Sequence, residues 1–204
     1  MIEKIGVIYQ DAISLGFLRG LRDRLQCSAE IVLPATAIGK TRQMPRKAAK
    51  SAWEYFRRNG VHLIVRFTDA DRNPWRDVHK RALGVVPSEA RGLWICGVGV
   101  DNPEEWMCRD ACCLAGVLSV PIDELLNPAN RVGRVKHALG QVKRPDEKLS
   151  DAVARIVRDA PTEVFRRWLE DPALRTFYTD CRAAATAADC DTPNELEQSQ
   201  SQDE

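Results

Sequence analysis

The sequence has no apolar run approaching the roughly 18 residues that a membrane span requires. Its first residues, MIEKIGVIYQ, lack the basic region, the apolar region and the cleavage site of a signal peptide. In a chain without a secretory signal, an odd number of seven cysteines argues against a disulfide framework and predicts reduced thiols. We therefore expect a cytoplasmic protein with no membrane partner.

Several motifs of well-known enzyme classes are also missing. Neither the phosphate-binding pattern GxxxxGK[ST] nor the dinucleotide-binding pattern GxGxxG occurs. No CxxC pair with a nearby histidine completes a tetrahedral zinc site, and the three histidines belong to no recognisable Ser/His/Asp or Cys/His arrangement. Any chemistry must therefore come from other residues.

The charge is distributed unevenly along the 204 residues. The formal net charge is +1, but six of the 29 acids and no Lys or Arg lie from residue 183 onward. Residues 1–182 therefore carry 30 basic residues against 23 acids, a net charge of +7. We expect a basic folded body and an acidic disordered tail at residues 186–204.

Strand and helix patterns alternate in the first half of the chain. Apolar, β-rich runs predict strands at residues 4–9, 30–33, 61–68 and 93–100. Between them, helices are predicted after Ser14, which we take as a cap, and at residues 46–59 and 74–83. This alternation predicts an α/β domain at residues 1–120 with a mostly parallel sheet.

The second half is predicted to be helical. Helices are expected at residues 105–118, 132–139, 148–159, 162–169 and 172–185. Residues 121–130 are rich in Pro, Asn and short polar residues, which favours a connection. We therefore expect a helical extension at residues 121–185, packed on the α/β domain.

Acidic residues follow three of the four predicted strands. Asp11 follows the first strand, Asp69 and Asp71 follow the third, and Asp101 and Glu104 follow the fourth. Because ligands of parallel sheets bind outside the carboxyl ends of the strands, these carboxylates are expected to lie together. Such oxygen ligands suit Mg²⁺. The alternative is ordinary loop chemistry, since Asp is common in turns and at helix caps.

Four stretches give the chain a resemblance to a known family. They are YQDAISLGFLRGLRDRL, FTDADR, VGVDNPEEWMCRDA and VFRRWL. Their order resembles the Toprim fold, the magnesium-binding catalytic domain of topoisomerases, primases and OLD-type nucleases. More narrowly, the chain resembles the Toprim-like proteins found with ATPases in prokaryotic defence systems. The resemblance implies a Toprim/Rossmann-like sheet, a Mg²⁺ or Mn²⁺ cofactor, and a nucleic acid or partner ATPase as binding partner.

The same resemblance suggests roles for individual residues. Asp69 and Asp71 match the aspartate pair that binds the metal in Toprim enzymes. The family's glutamate, a general acid or base, falls on Gln10, which cannot exchange a proton at neutral pH. Asp11 or Glu104 is therefore expected to assist proton transfer.

A basic surface is predicted beside these acids. Its nucleic-acid-binding candidates are Lys40, Arg42, Arg46, Lys47, Lys50 and Arg72. Phosphate backbones bind such surfaces by releasing counterions. The alternative is a solvated helix face, with Trp53 and Phe56 buried in the core.

The sequence leaves the function open between two main hypotheses. The first is a magnesium-dependent nuclease or phosphodiester-processing enzyme, acting in phage defence. The second is a catalytically degenerate Toprim-like module that binds nucleic acid or a partner ATPase. A transferase that holds a nucleotide diphosphate through its aspartates is less favoured, because the donor-binding landmarks are missing.

Overall fold

Within the described residues, the protein contains a four-stranded sheet in which every strand runs parallel to its neighbours. The computed structural model describes residues 2–34, 44–70, 73–99, 103–127, 131–142 and 146–187. The strands are β1 (Lys4–Ile8), β2 (Glu30–Val32), β3 (Leu63–Asp69) and β4 (Trp94–Gly99), in the order β2-β1-β3-β4. The predicted α/β class with a mostly parallel sheet is confirmed.

Helices cover both faces of the sheet. Helix α1 (Ala12–Arg24) packs on one face, and helices α2 (Arg46–Arg58) and α3 (Trp75–Gly84) pack on the other. Successive side chains of β3 follow this division, since Val65 belongs to the core under α1 and Ile64 to the core under α2 and α3. The chain moves from β1 to β2 on one side and from β3 to β4 on the other. The strand order therefore reverses between β1 and β3.

The second half of the chain is helical and packs against the α1 side. Its helices are α4 (Pro103–Met107), α5 (Ala111–Leu118), α6 (Ile122–Leu126), α7 (Arg131–Val142), α8 (Leu149–Asp159), α9 (Thr162–Trp168) and α10 (Pro172–Ala187). One apolar core joins side chains of β1, β3 and α1 to those of α5 and α7–α10. The predicted helical extension thus shares a core with the sheet. None of the described helices combines the length and apolarity that crossing a membrane requires.

Two details of the helical half differ from the sequence prediction. The single helix predicted at residues 105–118 is interrupted by a 3₁₀ turn (Cys108–Asp110), because the Asp110 side chain accepts a hydrogen bond from the backbone N–H of Cys113 and caps α5. The connection predicted at residues 121–130 contains α6. The predicted tail lies outside the described residues from residue 188 onward.

Close packing of α1 on α8 depends on two glycines spaced four residues apart. A Cβ atom added to Gly16 would lie 2.4 Å from the carbonyl oxygen of Ser150, and one added to Gly20 would lie 2.6 Å from that of Ala154. Both distances are shorter than any normal carbon–oxygen contact, and both obstacles are backbone atoms. The helical half is therefore held against α1 at a separation that only glycine permits at these positions.

Arg24 joins the end of α1 to the end of α8. Its buried guanidinium donates from Nη1 to the carbonyl oxygen of Ala160 at 2.6 Å and lies 4.3 Å from the centroid of the Phe165 ring. Carbonyls at a helix C-terminus carry partial negative charge and lack intrahelical donors. Arg24 thus satisfies the end of α8 while covering an aromatic ring of the core.

Candidate functional site

The reversal of strand order places a crevice between the carboxyl ends of β1 and β3. In open parallel sheets, ligands bind at such a switch point, because neighbouring loops leave it in opposite directions. Gln10 and Asp11 follow β1 here, and Asp69 ends β3. Two of the acids predicted for the carboxyl edge therefore lie beside the crevice, Asp69 at the end of β3 and Asp11 three residues after β1.

Gln10 spans the crevice. Its side-chain oxygen Oε1 accepts a hydrogen bond from the backbone N–H of Asp69 at 2.7 Å. Gln10 is thus an amide that binds the backbone of the neighbouring strand. This contact fixes the two strand ends relative to each other.

Asp11 caps helix α1. Its Oδ1 accepts hydrogen bonds from the backbone N–H and from the hydroxyl of Ser14, each at 2.8 Å. The prediction that Ser14 itself is the cap is wrong, because the helix begins two residues earlier, at Ala12, and Ser14 is buried inside its first turn. The carboxylate of Asp11 is placed where the helix dipole stabilises negative charge.

Glu104, the second predicted acid–base residue, lies on α4 and is completely buried. Lys136 on α7 forms an ion pair with it, with Nζ 3.3 Å from Oε1. Neither carboxylate oxygen accepts a well-aligned hydrogen bond within the described part of the chain. Burial raises the pKa of Glu104 above its ordinary value; the Asp11 carboxylate raises it further, whereas Lys136 lowers it. The two predicted acid–base residues therefore interact electrostatically.

The predicted metal pair is only partly described. Asp69 is half-buried at the end of β3, whereas Asp71 and the adjacent candidate Arg72 lie outside the described residues. Among the residues that are described, no three His, Cys, Asp or Glu side chains are grouped closely enough to hold a metal ion. These residues alone do not make up a metal centre, and a Mg²⁺ or Mn²⁺ site at Asp69 and Asp71 stays a prediction.

A larger cleft opens beside the crevice, on the face covered by α2 and α3. It has a volume of about 690 Å³. Its polar lining consists of Arg46, Arg66, Thr68, Asp69, Asn73 and Arg81. Its apolar lining includes Met44, Val78, Ala82 and Val85. The described lining thus combines three guanidinium groups with one carboxylate and an apolar wall.

Arg66 lies in the middle of β3 and is the buried cation of this cleft. It is only 4% exposed, and its Nη1 has no hydrogen-bond partner among the described residues. Burial lowers the pKa of its guanidinium. The neighbouring Cys96 does not supply a counter-charge at neutral pH, because burial raises the pKa of that thiol to about 12. Sequence analysis missed Arg66, although one arginine inside the apolar run IVRFT is a visible signal.

The predicted basic surface is partly confirmed as exposed. Arg46, Lys47 and Lys50 project from α2 into solvent, and α3 adds the exposed Arg76, Lys80 and Arg81. Lys40 and Arg42 lie outside the described residues. Trp53 and Phe56 are buried, as the alternative interpretation predicted. The exposed face of α2 therefore offers positive charge to a nucleic acid, but Trp53 and Phe56 are not available to stack on its bases.

Comparison of the chain with models of protein families, with curated proteins and with solved structures found no match. The functional argument therefore depends on the chain's own residues.

Proposed function

We infer that this chain is a Toprim-like α/β module that binds nucleic acid through the face formed by α2 and α3. The observation that carries this proposal is the meeting of cations from both helices at one cleft, which Arg46 of α2 and Arg81 of α3 both line. Lys47 and Lys50 extend the same positive charge along α2. A surface of this kind attracts phosphate backbones by releasing their counterions. A cytoplasmic location is part of this proposal, and the free thiols of the described cysteines support it.

The contacts at the crevice favour binding without catalysis. Gln10 cannot exchange a proton at neutral pH, and its oxygen already accepts from the backbone of Asp69. Asp11 is engaged as the cap of α1. In this proposal, the acid–base position of the crevice holds an amide. Association with a partner ATPase would add to this function and stays a prediction.

A second candidate function is magnesium-dependent cleavage of phosphodiesters, with a role in phage defence. The observation that favours it is Glu104, a buried carboxyl group whose pKa is raised by burial and by the carboxylate of Asp11. A carboxyl group with a raised pKa beside a second carboxylate is an arrangement that favours proton donation. The test is incubation with DNA and RNA in Mg²⁺ or Mn²⁺. Loss of activity in both the Asp69→Asn and the Glu104→Gln variant would support cleavage. Equal residual activity in the wild type and in these two variants would contradict it.

The binding proposal is tested by fluorescence anisotropy with single-stranded DNA, single-stranded RNA and duplex DNA over a series of salt concentrations. We expect the double variant Lys47→Ala, Lys50→Ala to bind more weakly. For a single strand, the slope of the logarithm of the binding constant against the logarithm of the salt concentration should become shallower by about 0.7 for each phosphate contact that is lost. The matched control is Lys148→Ala, Arg158→Ala, which removes two exposed cations at the ends of α8, on the helical half of the protein. Equal losses in the two double variants would contradict the proposal.

A further inference from the structure

Nη1 of Arg66, which has no acceptor among the described residues, calls for a negatively charged partner. A buried charge is costly unless it is paired and hydrogen-bonded. Within the described residues, Nη1 of Arg66 has no acceptor, and Cys96, its register partner on β4, supplies no counter-charge at neutral pH because burial raises its pKa. Arg66 lines the cleft, so an anion that enters the cleft can reach it. Arginine is well suited to such a partner, because its planar fork binds two oxygens of one phosphate.

The cleft is too small for a duplex but large enough for one nucleotide. Its volume of about 690 Å³ falls within the range of about 300–1,000 Å³ that is usual for small-molecule sites. Its two kinds of lining match the two ends of a nucleotide. Arg66, Arg46 and Arg81 suit the phosphate, whereas Val78, Ala82 and Val85 offer an apolar surface to a sugar or base.

The charge in the cleft favours a doubly charged phosphate. Among the described lining residues, three guanidinium groups oppose the carboxylate of Asp69, so this part of the cleft attracts anions although Asp69 repels them. A terminal phosphomonoester carries more negative charge than an internal phosphodiester, and it presents three oxygens instead of two. It therefore gains more from Arg66, Arg46 and Arg81 than an internal phosphate does.

We propose that this cleft binds the phosphomonoester of a nucleotide, either the phosphorylated end of a single strand or a free mononucleotide, with Arg66 as its principal ligand. This inference rests on the proposed nucleic acid binding and adds the chemical group that the protein recognises. In this arrangement, α2 and α3 hold the backbone by charge. The cleft then selects strands by their phosphorylated ends.

The test compares pairs of short single-stranded oligonucleotides that differ only in a terminal phosphate or hydroxyl, at the 5′ and at the 3′ end. Titration calorimetry also includes a nucleoside monophosphate and inorganic phosphate. We expect one phosphorylated end to bind at least about tenfold more tightly than its hydroxyl counterpart, the ratio expected for charge-assisted hydrogen bonds. Arg66→Met should abolish this preference, and Arg66→Lys should keep part of it. The control Arg91→Met changes a residue that lies before β4, at the amino ends of the strands, and should leave the preference unchanged.

Thermal unfolding separates lost binding from lost folding. Without phosphate, Arg66→Met should unfold at the same temperature as the wild type or higher, because the variant buries no unpaired charge. A preference for phosphorylated ends that survives in Arg66→Met would overturn the inference. So would equal binding of phosphate and hydroxyl ends, although the proposed nucleic acid binding would then stand. If no oligonucleotide binds but the monophosphate binds through Arg66, the proposed function fails and the inference holds for the free nucleotide.

Discussion

The side-chain oxygen of Gln10 lies 2.7 Å from the backbone nitrogen of Asp69 and accepts its hydrogen bond. This bond joins the carboxyl ends of β1 and β3, where the strand order reverses. It gives Gln10 a structural role at a position where the Toprim resemblance implies a catalytic glutamate. The crevice is therefore organised by an amide that cannot act as an acid or a base at neutral pH.

Replacing Gln10 tests this role. Gln10→Ala removes the acceptor and should lower the free energy of unfolding by about 1 kcal/mol. Gln10→Glu keeps an acceptor but adds a negative charge beside Asp69, so it should be destabilised in the absence of divalent cations and partly recovered by Mg²⁺ or Mn²⁺. Urea unfolding measures both effects. Gln141→Ala, at an exposed position of α7, is the control. A stability of Gln10→Ala equal to that of the control would show that the bond contributes nothing.

The separation of α1 and α8 predicts the effect of adding a methyl group. Gly16→Ala should destabilise the protein by about 1–3 kcal/mol, because its Cβ would meet the Ser150 carbonyl oxygen at 2.4 Å and the helices would have to move apart. Gly140→Ala is the matched change in a helix with nothing within 4 Å of the new atom. It should stabilise by about 0.5–1 kcal/mol, the usual gain of alanine over glycine in a helix. Denaturant unfolding of both variants checks the opposite signs.

The buried carboxyl of Glu104 predicts a dependence of stability on pH. Its folded-state pKa lies above the ordinary value of 4.5. Between that value and the higher folded pKa, the folded state therefore binds more protons than the unfolded state. The contribution of Glu104 to stability is thus complete below about pH 4.5 and decreases as the pH rises. Lys136 opposes the shift, and Asp11 reinforces it.

Glu104→Gln should remove this contribution. The difference in unfolding free energy between the variant and the wild type should increase from acidic to neutral pH, with the variant relatively more stable at neutral pH. Glu163→Gln, at an exposed position of α9, is the control, and its difference should stay nearly constant. Unfolding curves measured across this pH range make the comparison. If the unfolding free energy of Glu104→Gln relative to the wild type decreases as the pH rises, then Lys136 stabilises the ionised form of Glu104.

The strands and most helices could be predicted because apolar periodicity records which side chains face the core. Helix α6 was missed because five residues between Pro121 and Asn127 are too few to show a period. The break before α5 was missed because Asp110 fits a helical pattern, and only its bond to the Cys113 N–H ends the turn.

The candidate site was predictable only in part. Asp11 and Asp69 were placed at the carboxyl edge because parallel strands all end there. The ion pair of Glu104 with Lys136 and the lack of an acceptor for Nη1 of Arg66 among the described residues depend on tertiary neighbours. The sequence shows an arginine in a strand, but whether that arginine has a counter-charge is a property of the packed structure.

Hydrogen–deuterium exchange with and without a phosphorylated single-stranded oligonucleotide tests the central claim most directly. Nucleic acid binding at the α2/α3 face predicts slower exchange in peptides from α2, the end of β3 and α3, with little change in α8 and α9. In Arg66→Met, the slowing at the end of β3 should be lost. Slower exchange confined to α8–α10, or no change anywhere at saturating oligonucleotide, would contradict the account.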